Sequence, residues 1–252
     1  MMGGMPGSPD LTSRMAYRVY TRWVWWAAAV FVGASLLASM VAANLVMSAL
    51  AEAGIFAMQW QVLGALAVSQ VVSVVLILWA AGWRGDRRGA LLALGPPVQG
   101  VRAYWWAYLA MAVLFGAISA LLWFIDPKGA MGDLTVYSGL IRSDAWWLAV
   151  LVIVVGAPVM EELMFRGFLF PALARGPFGV VGAGLTTSAA WSALHAGYSV
   201  MGLLEVFAVG LYFAYVLVRT GSLRVPMFCH AAYNASALVL LLLVDIPAAA
   251  AG

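Results

Sequence analysis

The chain holds four glutamates and two histidines in 252 residues, and five of these six groups, Glu161, Glu162, His195, Glu205 and His230, fall within stretches apolar enough to sit in a bilayer. An ionised side chain near the bilayer centre costs at least about 2.5–3.5 kcal/mol, so such groups mark functional centres unless they only join helices. The segment Glu161-Glu162-Leu163-Met164-Phe165-Arg166 sets Glu162 and Arg166 four residues apart, on one helical face where they can pair. Glu161 is turned by about 100° from Glu162 at about 3.6 residues per turn, and is free to meet a different environment and act as a base. Gly156 and Pro158 lie just before it, and a proline there removes a backbone hydrogen bond and predicts a kink, for the site or simply for packing. Trp191 and His195 share the same four-residue spacing, as do His230 and Asn234. An imidazole and an amide on one face of an apolar helix both need polar partners that lipid does not offer.

The elements that position these groups are membrane spans. The sequence is 65% hydrophobic and 9% charged, with a mean hydropathy of +0.99, whereas a water-soluble domain carries roughly a quarter charged residues. A soluble fold is excluded on those grounds. Crossing about 30 Å of hydrocarbon takes about 20 apolar helical residues, and seven such stretches occur, near 23–50, 56–82, 103–125, 145–170, 179–196, 201–219 and 223–244. None shows the two-residue alternation of a barrel strand. The expected fold is therefore an all-α polytopic transmembrane helix bundle of about seven spans. Its organisation is a disordered cytoplasmic N-terminus over 1–22, a single transmembrane domain over 23–244 and a C-terminal tail over 245–252.

Eleven of the thirteen basic residues precede the first span, lie between the second and third, follow the fourth, or separate the last two, leaving only Lys128 and Arg142 for the other side. The positive-inside rule then makes the N-terminus cytoplasmic in a multi-pass protein of the cell membrane. Tryptophans such as Trp25, Trp26, Trp83, Trp105, Trp146 and Trp147 sit at span ends, as an interfacial belt requires. A formal charge of +3, scattered among loops, gives no footprint for nucleic acid. The single cysteine, Cys229, has no intrachain partner for a disulfide.

The three polar segments, in this order on successive helices, resemble the Glu-Glu-x-x-x-Arg, Phe-x-x-x-His and His-x-x-x-Asn motifs of the CAAX-protease and bacteriocin-processing (CPBP) family of intramembrane peptidases. The second differs by carrying Trp191 where phenylalanine is usual, a change of one aromatic for another. The resemblance extends over about 145–244, with Arg219-Thr220-Gly221-Ser222-Leu223 leading into Pro226 like the family's approach to its third motif. It implies a type II CAAX-type glutamic endopeptidase acting on a peptide or protein substrate at the membrane. By motif, Glu161 and His195 would polarise a water, His230 and Asn234 would stabilise the oxyanion, and Glu162 with Arg166 would support the helix. The chemistry is permissible: a carboxylate withdrawn from water can serve as a base near neutral pH, and an amide and an imidazole can donate to a developing oxyanion.

That reading needs no cofactor, although Glu161, His195 and His230 could instead supply the three protein ligands of a catalytic zinc. Ser192 and Cys229 each neighbour a motif histidine, but adjacent helix positions do not face each other, which argues against either as a nucleophile. A non-catalytic scaffold or a proton relay is the other class of function for buried Glu and His. The intact motifs disfavour a scaffold, and the lack of a repeat between the two halves disfavours most transporters. The motif residues are expected to surround one polar cavity open toward the cytoplasm. Glu205 has no role in any of these readings.

Overall fold

The computed structural model describes residues 16–85 and 87–243, so the tail expected over 245–252 and the first fifteen residues of the expected N-terminal arm lie outside the described residues. Among the described residues all regular structure is helical. Helices α1 (Trp25–Glu52), α2 (Met58–Trp83), the single turn α3 (Arg88–Leu91), α4 (Arg102–Ile125) and α5 (Pro127–Ile141) come first. A 30-residue helix α6 (Trp146–Arg175) follows, then α7 (Gly179–Ala193), α8 (Val200–Thr220) and α9 (Arg224–Leu243).

Six of these, α1, α2, α4, α6, α8 and α9, are long and apolar enough to cross a membrane, which makes this a multi-pass membrane protein. The seventh stretch, expected over 179–196, is the 15-residue α7. At about 1.5 Å per residue it rises some 22 Å, short of the hydrocarbon thickness. It nevertheless packs antiparallel to α8 along its length, ending in a turn, so His195 lies just beyond a helix and not within one. Large apolar side chains stay uncovered on the bundle's outside, as in α4, where only 11% of the apolar window is buried. Such a surface suits lipid and not water.

The arginine-bearing loops gather at one end of the bundle. Arg22 Nη1 donates to Arg84 O at 3.0 Å, Gln99 Nε2 to Arg219 O at 2.8 Å and Ser222 Oγ to Gly95 O at 2.6 Å. Residues 16–22, expected as part of a disordered arm, are packed here: Tyr17 is buried, its N–H donates to Val218 O at 3.2 Å, and burial pushes its phenol pKa up. Gly221, at φ +68, makes the turn from α8 to α9, with no space for a Cβ beside the Ala16 carbonyl. The opposite end is tied by Arg142 Nη2 donating to Leu241 O at 2.8 Å and Gln59 Nε2 donating to Asp144 at 3.1 Å. Arg166 leaves the loop count altogether, because it is fully buried within α6.

Candidate active site

Helix α6 is not a uniform α-helix: Leu151–Gly156 and Glu162–Leu169 are π-helical turns, which shift the bonding to i→i+5 and recur at functional sites. Pro158 has no N–H, so in that pattern the carbonyl of Ile153 loses its donor. Asn234 Nδ2, from α9, takes its place at 2.8 Å. The preceding carbonyl, Val152 O, receives Gln70 Nε2 of α2 at 3.1 Å. Gly156 lets that glutamine in, since a Cβ there would collide with the Gln70 amide oxygen. The kink expected from Gly156 and Pro158 is thus a widened turn, satisfied by two side-chain amides.

One turn on, the two adjacent glutamates part. Glu162 and Arg166 are both fully buried and meet at 3.0 Å, and Arg166 Nη2 also donates to Gly210 O at 3.1 Å. The guanidinium carbon stands 4.7 Å from the Trp191 ring centre and 5.7 Å from that of Phe213, so charge, hydrogen bonds and ring faces all hold it. A Cβ on Gly210 would stand 2.9 Å from Arg166 Nη2 and from Ser188 Cβ, so only glycine lets α8 approach this closely.

Glu161 borders a cavity, with its side chain 13% exposed. Its Oε2 accepts the indole N–H of Trp191, a bond the phenylalanine usual in the resembling motif cannot make. His230 spans the two carboxylates, with Nδ1 3.1 Å from Glu162 Oε1 and Nε2 3.8 Å from Glu161 Oε2. Its ring stacks on Phe213 at 5.0 Å and meets the Trp191 edge at 5.3 Å. Trp191 also lies 5.3 Å from the His195 ring, and His195 Nδ1 faces the Trp191 carbonyl at 3.1 Å. The indole therefore stands between the two histidines while it donates to the glutamate.

The His195 turn is held from α5. Tyr198 and Tyr137 share a hydrogen bond of 2.5 Å between hydroxyls, and Tyr198 packs on His195 at 5.3 Å. Asp133 accepts from Ser199 N and Ser199 Oγ, each at 2.7 Å, while Ser199 Oγ caps α8 by accepting from Gly202 N at 3.0 Å. Burial is the largest cause raising both tyrosine pKa values, and the charges of Asp133 and Glu161 add to it. Both phenols thus keep their protons, and the bond between them, across the physiological range.

The cavity measures about 920 Å³ and is bordered by Glu161, Trp191, His195, His230 and Asn234, with Gln70, Asp133, Tyr137, Tyr198 and Glu205 farther along its wall. Four of the residues expected to be catalytic, Glu161, His195, His230 and Asn234, therefore meet one space, and the two expected to be supporting, Glu162 and Arg166, lie sealed behind it. Most of the lining from α2, α6, α8 and α9 belongs to their halves remote from the arginine-rich loops, so the cavity extends mainly away from that end and not toward it as expected. Glu161 and Asn234 lie near the middle of their helices and His195 just beyond the end of α7, and the space lies on the side of them away from the arginine-rich loops. Ser192 Oγ is committed to Leu203 O at 2.8 Å and Cys229 is buried.

The zinc alternative can be tested on these positions. No three His, Cys, Asp or Glu side chains converge as ligands among the described residues. Glu161 Oε2 is instead engaged by the Trp191 indole N–H, and Glu161, His195 and His230 are not gathered around one point in this arrangement.

Sequence reasoning missed Gln70, Gly210, Tyr137 and Asp133. Asp126-Pro127 was a readable helix start for α5, since Asp caps and proline suits the first turn, and Asp126 indeed accepts from Gly129 N at 3.0 Å. The other two, Gln70 and Gly210, reach the site from distant segments, and no local pattern announces them.

Six apolar helices around a buried carboxylate and histidine centre define a polytopic membrane protein with an intramembrane polar site. Residues 143–236 match the family model described as type II CAAX prenyl endopeptidase Rce1-like. That segment runs from α6 through most of α9 and is similar to the domain which that model describes. No curated protein and no solved structure matches it.

Proposed function

We propose that the protein is an intramembrane endopeptidase that hydrolyses a peptide bond of a membrane-associated or prenylated-type substrate with water activated by Glu161 and His195. The observation that carries this reading is the shared border of Glu161, His195, His230 and Asn234 on one cavity, with Glu162 and Arg166 closed off behind it. The match of residues 143–236 to a CAAX endopeptidase family model supports the same reaction class.

In the proposed reaction Glu161 accepts a proton from the water as its oxygen bonds to the substrate carbonyl carbon. His230 and Asn234 donate to the oxyanion that forms, the C–N bond breaks, and the proton passes from Glu161 to the leaving amine. Asn234 has one amide hydrogen on Ile153 O and a second left for this task. His230 Nδ1 faces Glu162 Oε1 at 3.1 Å, and Nε2, 3.8 Å from Glu161 Oε2 and so beyond hydrogen-bond distance, is the ring atom left to donate to the oxyanion. Trp191 orients the base, and Tyr198 with Tyr137 orients the His195 turn.

The positive-inside asymmetry favours a cytoplasmic arginine-rich end, and the cavity then lies toward the opposite membrane face, from which the scissile bond would be presented. Purified protein in liposomes, incubated with a library of membrane-spanning and amphipathic peptides and read by mass spectrometry, tests the activity. Defined cleavage products absent with His195→Ala are expected. Equal products from both proteins, or none from either, would overturn the reading.

A further inference from the structure

Glu205 is a third intramembrane carboxylate-bearing position, one that the proposed chemistry leaves idle, five residues into α8. Its Oε1 accepts from Ser119 Oγ of α4 at 2.6 Å and from Tyr233 Oη of α9 at 3.0 Å. Both donors reach the same oxygen, and Oε2 has no hydrogen-bond partner among the described residues. Glu205 borders the cavity, and neither lysine nor arginine is part of the cavity lining. The protein thus fixes a carboxylate at the wall of an apolar space with two neutral donors and no cation. A charge placed so is costly unless something else in the cavity balances it.

Tyr233 lies three residues beyond His230 on α9, and both border the cavity together with Glu161 and Glu205, so a peptide held with its scissile bond at Glu161 shares that space with the Glu205 carboxylate.

Resting on the peptidase reading for what occupies the cavity, we propose that Glu205 is a specificity-determining residue that selects a substrate carrying lysine or arginine near the scissile bond. The cationic side chain pairs with the carboxylate in a site of low dielectric, where attraction between opposite charges is strong. An acidic side chain at the same place meets repulsion from Glu205 and from Glu161 together.

The test uses full-length protein in nanodiscs and eight-residue apolar peptides, acylated and amidated at their ends, with lysine, norleucine or glutamate scanned through each position. Binding is measured on Glu161→Gln protein and cleavage on the wild type. At one position lysine should bind at least tenfold more tightly than norleucine, with glutamate weakest. Adding Glu205→Gln should shrink the lysine-to-norleucine ratio to within twofold, and Glu205→Asp, which keeps the charge, should preserve the preference. Because each ratio is taken within one protein, partial misfolding does not imitate the result. Absence of lysine preference at every position, a preference untouched by Glu205→Gln, or failure of every peptide to bind overturns the inference. Charge-dependent binding without cleavage by the wild type sustains the role of Glu205 and contradicts the peptidase reading, whereas cleavage without charge preference does the reverse.

Discussion

Adjacent glutamates acquire opposite surroundings because one turn of helix α6 faces both a cavity and the packed centre of the bundle. Glu162 is locked by Arg166 and His230 with no exposure, so Glu162→Gln strands a buried guanidinium. Removing one partner of a buried pair costs about 3–5 kcal/mol, and denaturant unfolding of the purified variant should register a loss of that size. The four-residue spacing made this pair legible in the sequence. The identity of Trp191 was legible too, but not its consequence: read as an exchange of aromatics, it instead supplies the hydrogen bond to Glu161. Trp191→Phe keeps an aromatic ring and removes that bond. A hydrogen bond to a charged group contributes about 1.5–3 kcal/mol, so kcat/KM measured on any cleaved peptide should fall by about tenfold to a hundredfold. An unchanged value would remove the indole from the account of the base.

At the scale of elements, the site depends on irregular backbone that hydrophobic periodicity cannot reveal. A π turn adds one residue to a helix without altering its apolar character, so the stretch 145–170 was readable as a span while its two wide turns were not. Pro158 hinted at a disturbance, but the donors that accommodate it, Gln70 and Asn234, come from 88 and 76 residues away in the chain. The close approach of α8 is equally non-local. Gly210→Ala forces a methyl group against Arg166 and Ser188, and overpacking of that kind costs about 1–3 kcal/mol. Thermal denaturation in detergent should show a lowered midpoint, and a midpoint equal to wild type would mean that α8 shifts freely. Helix α5 matters for another reason, since Tyr137 and Asp133 hold the turn that carries His195. Tyr137→Phe loses the hydroxyl contact and should reduce kcat while leaving the unfolding midpoint within a degree or two, as measured by the same two assays.

For the whole molecule, composition alone revealed an all-helical membrane bundle, because so few charged residues leave no other solvent for it. The number of spans was less legible, since a 15-residue apolar helix closed by α8 and α5 reads like a crossing segment until its length and ends are seen. The face on which the cavity lies was not legible at all: Glu161 and Asn234 sit near the middle of their helices, and the space beside them is set by how the helices splay. Reporter fusions in the loop at 53–57 and near Lys128 should read as external, and one near Gln99 as cytoplasmic; the reverse pattern would invert the membrane face from which substrate enters. The central claim is the hydrolytic role of Glu161, and the direct measurement is cleavage of one verified peptide by purified wild-type protein and by Glu161→Gln in the same liposomes, with unfolding midpoints recorded alongside. The account predicts that Glu161→Gln loses at least a hundredfold in kcat with a midpoint near that of wild type. Full turnover by Glu161→Gln would contradict it.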